Sequence, residues 1–227
     1  MKRRAVFLDR DGTLVYPVPY PRRLQDLRLY ENIGPGLRCL QALGYALVVI
    51  TNQSGLARGY FSQDDLQRMH AYLYQELGRQ GVYLDAIYYC PHHPEGVIPA
   101  LAIQCGCRKP QPGLVLQAAA DLGLDLARSW FVGDILDDVE AGNRAGCRTV
   151  LVDLGTEGPP TLDLRRPTFV ARDTRQALHL ICTATLAEAA ALESDYSDSV
   201  LGQQEVKEGA QSTEPSLPFW SVPPEHN

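Results

Sequence analysis

"AVFLDRDGTLV", Ala5–Val15, decides how the rest of the chain is read. An apolar run of strand length, 5–9, ends in two aspartates, Asp9 and Asp11, with Arg10 between them and Gly12-Thr13 behind. In an open parallel sheet, ligands bind beyond the carboxyl ends of the strands, which is where Asp9 stands. In extended backbone, residues i and i+2 point the same way, which predicts that both carboxylates face one site. Left alone they would repel, and one would take a proton. A divalent cation relieves that repulsion, and oxygen ligands suit Mg²⁺. A calcium loop fails on spacing, because Leu14 stands where the sixth position needs Gly and Tyr20 where the twelfth needs Glu. For an isolated D-x-D-G, a simple turn remains the alternative, since Asp and Gly are turn residues.

Four more strand-length runs follow: "ALVVIT" (46–51), "AIYYC" (86–90), "WFVGD" (130–134) and "TVLVD" (149–153). Segments of helical period lie between them. "PGLRCLQALG" and "PGLVLQAAADLG" both start at Pro (Pro35, Pro112) and stop at Gly (Gly44, Gly123). "SQDDLQRMHAYLYQELGRQG" begins at Ser62, carries Asp64 and Asp65 in its first turn, and sets Leu66, Met69, Leu73 and Leu77 on one face. "DDVEAGNRAG" reads as another short helix, and residues 172–192 as a last one. Strands alternating with helices predict an α/β fold, a parallel sheet with helices on both faces.

The 227 residues are 45% hydrophobic, enough for one domain with a full core. No apolar run approaches the ~20 residues that span a bilayer. The basic start "MKRRAVFLDRDG" has too short an apolar run for a secretion signal, so a cytoplasmic protein without membrane contact is expected. The net charge of −6 is unevenly placed. From Ala187 onward there are eight acids and one base, Lys207, while the remainder has 20 bases and 19 acids. The folded part should therefore accept an anionic ligand, and no basic stripe points to nucleic acid. We expect a domain over 1–192 and an acidic, disordered tail over 193–227, whose "LPFW" reads as a loose end or a docking motif.

Other strand ends supply more chemistry. "ITNQSGLARG" places the Thr51 hydroxyl and Asn52 at the same edge as Asp9. "FVGDILDD" places Asp134 there, with Asp138 one helical turn on, and "CRKPQPG" sets Arg108 and Lys109 ahead of a helix. "DRDGT", "TNQSG", "CRKPQPG" and "GDILDD", in this order, resemble the four motifs of the haloacid dehalogenase (HAD) phosphatase superfamily over about residues 4–155. The resemblance implies a Rossmann-like HAD fold and Mg²⁺-dependent phosphoryl transfer through an aspartyl phosphate. Asp9 would be the nucleophile and Asp11 the general acid, then base. Thr51 and Lys109 would hold the phosphoryl group. Mg²⁺ would be held by Asp9, Asp134 and the Asp11 backbone carbonyl, and Asp138 would orient Lys109 or a metal-bound water.

The six cysteines are also unevenly spread. "YYCPHHPEGVIPALAIQCGCRKP" groups Cys90, Cys105 and Cys107 with His92 and His93, and three thiolates plus an imidazole form a closed set typical of structural Zn²⁺. The alternative is a few buried thiols. "CPHHPEG", "CGCRKPQPG" and "TNQSGLARGYFS" resemble the heptose-bisphosphate phosphatase family, whose histidinol-phosphate phosphatase relatives have a similar zinc loop. That resemblance favours His92 as the ligand, within a zinc loop over 90–108. It implies a monomeric enzyme acting on a small phosphorylated sugar, with histidinol phosphate or another small phosphate ester as the alternative substrate. A catalytically silent, zinc-stabilised binding module is the non-enzyme alternative. No large cap domain fits between the motifs, so loops must select the substrate. Asn52 and Arg108 are the substrate-binding candidates, and Arg108 is placed to grip a second phosphate with its bidentate fork. Val15 and Ile135 depart from the residues that resemblance leads one to expect.

Overall fold

The structure, a computed structural model, describes residues 2–208, with side chains as far as residue 191. Six strands form one wholly parallel sheet: β1 (Ala5–Leu8), β2 (Ala46–Asn52), β3 (Ala86–Cys90), β4 (Trp130–Gly133), β5 (Arg148–Val152) and β6 (Phe169–Ala171). Their order is β3-β2-β1-β4-β5-β6. The order reverses beside β1, the switch point at which an open α/β sheet leaves a crevice at its carboxyl edge. The register brings Leu8 opposite both Val49 and Val132, so β1, β2 and β4 finish on one edge.

The helices are α1 (Gly34–Ala42), α2 (Gln63–Arg79), α3 (Gly113–Leu122), α4 (Leu136–Arg144) and α5 (Thr174–Glu208). Val6, Leu8, Leu47, Val49 and Trp130 pack on one face of the sheet with Leu37, Leu40, Leu66, Leu73 and Leu178. Ala5, Phe7, Val48, Ile50 and Phe131 pack on the other with Leu114, Val115 and Ala118. Burial on both faces explains why these strands read as continuous apolar runs without alternation. Helix α2 shows the local logic. Ser62 caps it by accepting from the Asp65 N–H, and the Asp65 carboxylate accepts from the Ser62 N–H in return. The stripe expected from its period, Leu66, Met69, Leu73 and Leu77, is the face it buries.

Three features differ from the sequence expectation. Strand β6 was not foreseen, because three residues, Phe169–Ala171, give too short a run to show a period. The last helix runs past Leu192 to Glu208, beyond the expected domain boundary. Compactness places that boundary elsewhere: Met1–Thr185 holds the whole sheet as one unit, and a second unit begins at Leu186. The expected disordered tail beyond Glu208, with its "LPFW", lies outside the described residues. No helix among the described residues is long and apolar enough to cross a membrane. The segments between β1 and α1 and between β3 and α3 contain only short 3-10 turns, Leu24–Asp26 and Pro99–Leu101, and no cap domain.

Candidate active site

Asp9 follows β1 directly, and Asp134 follows β4. Asp138 lies in the first turn of α4, where its carboxylate also accepts from the Ile135 N–H at 3.3 Å. The three carboxylates converge, with an oxygen from each within 4.8 Å of the others, and all three residues are buried. Two glycines make the convergence possible. A Cβ on Gly133 would lie 2.3 Å from an Asp138 oxygen, and one on Gly12 2.0 Å from an Asp134 oxygen. Gly12 also turns the chain at φ +85°, a conformation that favours glycine.

Lys109, only 3% exposed, reaches into this cluster from the loop before α3. Its Nζ lies 2.5 Å from Asp9 Oδ1 and 2.5 Å from Asp138 Oδ1, and it donates to the Ile50 carbonyl at 3.1 Å. Burial opposes the ammonium charge, but the Asp138 and Asp9 carboxylates outweigh it and hold the lysine above its usual range. Burial pushes Asp9 up to about 7, with Lys109 pulling the other way and Asp138 and Asp11 adding repulsion. Burial, then the Asp9 and Asp138 charges, push Asp134 up to about 8. Three carboxylates crowded round one ammonium offer more negative charge than it can balance. That surplus, at an all-oxygen site with a free edge, fits Mg²⁺.

Asp11 goes elsewhere. Strand alternation ends at Leu8, and the chain then folds back, with Leu14 and Val15 N–H groups donating to the Arg10 carbonyl. The two carboxylates therefore do not share one cluster. Asp11 instead accepts from Arg10 Nε and Nη2, both at 3.1 Å, and from Gln53 Nε2 at 3.1 Å. Thr51, buried near the end of β2, has its Oγ1 2.8 Å from the same Gln53 nitrogen. Asn52 is committed to the Lys109 main chain, donating to its carbonyl at 3.2 Å and accepting from its N–H at 3.1 Å. These two contacts fix the main chain that carries the lysine.

Two cavities border this edge. One of about 220 Å³ is lined by Arg10, Asp11, Tyr20, Asn52, Gln53 and Phe61 among others. The other, of about 270 Å³, is lined by Gln104, Arg108, Lys109, Gln111 and Asp137 among others. Arg108 Nη1 is buried there without a hydrogen-bond partner. Of the two departing positions, Val15 is core, 1% exposed, and Ile135 supplies the N-terminal cap position of α4.

The cysteine loop forms a separate cluster. Cys107 Sγ lies 3.3 Å from Cys90 Sγ, 3.2 Å from Cys105 Sγ and 3.3 Å from His92 Nδ1, and Cys90 and Cys105 are 3.6 Å apart. A tetrahedral zinc with bonds of about 2.3 Å would set sulfurs about 3.8 Å apart, so the donor set fits that ion closely. Burial and the neighbouring thiols push Cys90 above the usual thiol range, so three adjacent thiolates need a cation to coexist. His93 is not part of the cluster. Its ring nitrogens face Arg58 and the Glu95 N–H.

A parallel sheet with a buried carboxylate trio and lysine at its switch point, beside a strand-borne threonine and a fourth aspartate, defines a HAD-type phosphatase. Residues 106–177 match the HAD-hydrolase-like family. A protein of Haemophilus ducreyi named D-glycero-beta-D-manno-heptose-1,7-bisphosphate 7-phosphatase is 46% identical over 170 residues, 72% of this chain and 93% of that protein. The crystal structure of D,D-heptose 1,7-bisphosphate phosphatase from B. bronchiseptica, complexed with magnesium and phosphate, is 29% identical and covers 80% of this chain and 99% of its own, with a TM-score of 0.68. A HAD-like phosphatase of Mesorhizobium loti is 36% identical over 81% of this chain and 86% of its own, with a TM-score of 0.71. The chain belongs to the HAD phosphatase family that contains the heptose-bisphosphate 7-phosphatases, and is a phosphoric monoester hydrolase. HAD phosphatases use Mg²⁺, and the silent-module alternative falls away.

Gln53 and Arg10 carried no role in the sequence reading. Gln53 had a signal, since it stands two residues after Thr51 and alternation puts both on one side. Arg10 had none, because an arginine between two aspartates reads equally well as a solvated charge.

Proposed function

We propose that this chain removes the 7-phosphate of D-glycero-D-manno-heptose 1,7-bisphosphate. The observation that carries the reading is Arg108 Nη1, buried without a partner beside the lysine that bridges Asp9 and Asp138. An Asp9 oxygen attacks phosphorus, the bond to the sugar oxygen breaks, and Asp11 gives that oxygen its proton. Asp11 then takes a proton from the water that attacks the aspartyl phosphate, releasing inorganic phosphate and restoring Asp9. Thr51 donates to a phosphoryl oxygen, and Lys109 balances the charge that spreads over the transferring group. Asn52 holds Lys109 in place through its main chain. Asp9, Asp134 and the Asp11 main-chain carbonyl would hold Mg²⁺, which when bound lowers the repulsion between an anionic nucleophile and an anionic ester.

Arg108 would grip the phosphate that stays on the sugar. Its unpartnered, buried Nη1 beside Lys109 supports that role, and favours a bisphosphate over histidinol phosphate. Zn²⁺ would be held by Cys90, His92, Cys105 and Cys107, shaping the loop that carries Arg108. The setting proposed is a cytoplasmic monomer whose only partner is its small substrate. Turnover of heptose bisphosphate, heptose monophosphate and histidinol phosphate, measured side by side, tests the reading. A preference for histidinol phosphate would replace it.

A further inference from the structure

We propose that Gln53 and Arg10 are positioning residues that form one buried bracket: together they aim the Asp11 carboxylate and turn the Thr51 hydroxyl proton into the site. This rests on the roles given above to Asp11 and Thr51. Arg10 is 1% exposed and Gln53 3%, so neither is a solvated surface group. Arg10 meets Asp11 side-on through Nε and Nη2, a two-point contact that fixes the plane of the carboxylate as well as its position. Arg10 Nη2 also donates to Gln53 Oε1 at 3.0 Å.

That last contact settles which way the Gln53 amide faces. A guanidinium only donates, so the amide oxygen must face Arg10 and the NH₂ must face the other way. The NH₂ then donates to Asp11 Oδ2 at 3.1 Å and to Thr51 Oγ1 at 2.8 Å. The flipped amide would set NH₂ against guanidinium and oxygen against carboxylate, two repulsive contacts in place of three attractive ones. A hydroxyl has one proton to give. Because Thr51 Oγ1 accepts from Gln53, its own proton is left for another acceptor, and a phosphoryl oxygen is the acceptor the reaction brings. One glutamine thus couples the group that protonates the leaving oxygen to the group that holds the phosphoryl oxygen.

Leaving-group dependence separates this role from a merely structural one. A sugar alkoxide needs the Asp11 proton, whereas the nitrophenolate of p-nitrophenyl phosphate leaves without one. Because Asp11 also serves as base in the hydrolysis of the aspartyl phosphate, a step both substrates share, the comparison is made on the pre-steady-state rate of phosphoenzyme formation: Arg10→Gln should lower it about 10–100-fold with heptose bisphosphate but only a few-fold with p-nitrophenyl phosphate. Arg10→Lys, which keeps the charge and loses the two-point contact, should fall between, and it decides the matter if Arg10→Gln does not fold. Gln53→Leu should slow both substrates, because both present a phosphoryl group to Thr51. It should cost far less in a Thr51→Val background, as coupled residues do. Equal losses in the rate of phosphoenzyme formation from the two substrates in both Arg10 variants, or full additivity of Gln53→Leu with Thr51→Val, would overturn the bracket. Asp11→Asn is the control: if it slows phosphoenzyme formation equally with the two substrates, the acid role itself is wrong, whereas a leaving-group-dependent loss there beside equal losses in the Arg10 variants overturns the bracket alone.

Discussion

Asp9, Asp134 and Asp138 meet at a sheet edge beside open cavities, whereas Cys90, at the end of β3, meets His92, Cys105 and Cys107 of the one loop that follows it. Both groups crowd acidic donors together. The carboxylates come from two strand ends and a helix, with a lysine already among them. The thiols lie within eighteen residues of sequence and have no cation of their own. The difference is one of purpose. A site built by separate strands keeps a free face for a ligand, while a site closed by four protein donors has none left to offer and can only hold a loop in shape.

The sharpest way to break that contrast is Asp9→Asn. Turnover should fall by at least about 10⁴-fold, because the covalent step is lost, while one zinc per chain remains. Near-normal activity would remove the mechanism. Mild chelation is the next test. EDTA should cut activity by about 10³-fold or more, and added Mg²⁺ should restore it. Metal analysis after that treatment should still find the zinc, and its loss alongside the activity would erase the distinction between open and closed sites.

Arg108 stands one residue past Cys107, so it tests whether the two regions communicate. Arg108→Ala should cost a bisphosphate about ten- to a hundredfold in kcat/KM and a monophosphate little. Equal losses would cancel its grip on a second phosphate. Cys105→Ser should lower Tm by about 5–10 °C, a loss of roughly 2–3 kcal/mol at this chain length, while kcat on p-nitrophenyl phosphate changes less than about threefold. A large fall in that kcat would show the closed site acting in the chemistry itself.

The smallest effect is in pH. Asp9 and Asp134 are raised from 3.8 to about 7 and about 8. A carboxyl raised on folding contributes stability that is full below its unfolded value and is lost as pH rises through its folded one. The metal-free protein should therefore weaken between pH 3.8 and 8. Mg²⁺ favours the ionised forms, so its addition should raise Tm by about 3 °C more at pH 8 than at pH 5. An equal rise at both, read by calorimetry, would mean these carboxyls are not what the ion relieves.

Much of this was legible in the chain. Five strands showed themselves as apolar runs because a parallel sheet buries both faces, and the stripe of α2 could be read residue by residue. Asp9, Asp134 and Thr51 were placed by one rule, that strand ends at a switch point face a ligand. Asp11 lies past the extended stretch, and its carboxylate turns from the carboxylate trio to Arg10 and to Gln53, 42 positions on, a partner that alternation does not report. The clasp that Asn52 makes was not legible. Its partner, the Lys109 main chain, is 57 positions away, and no local pattern reports such a contact. The Arg10–Gln53 contact spans 43 positions and was hidden for the same reason.

The ends of the cysteine loop are fastened to adjacent residues of one strand end. The Gln53 N–H donates to the Cys90 carbonyl at 2.7 Å, and the Asn52 amide clasps the Lys109 main chain. What lies between, from Cys90 to Lys109, is a cassette with its hinges riveted to the frame. Asp9 meets this segment through the Lys109 ammonium at its far end, so exchanging the interior for a relative's should leave Asp9 in place while both rivets are kept. The segment is also pinned between those ends, by the Val97 and Ile98 N–H groups on the Ala57 carbonyl at 2.7 and 3.0 Å and by Arg58 against His93 and Glu95, so a graft meant to change the substrate has to carry Ala57 and Arg58 with it.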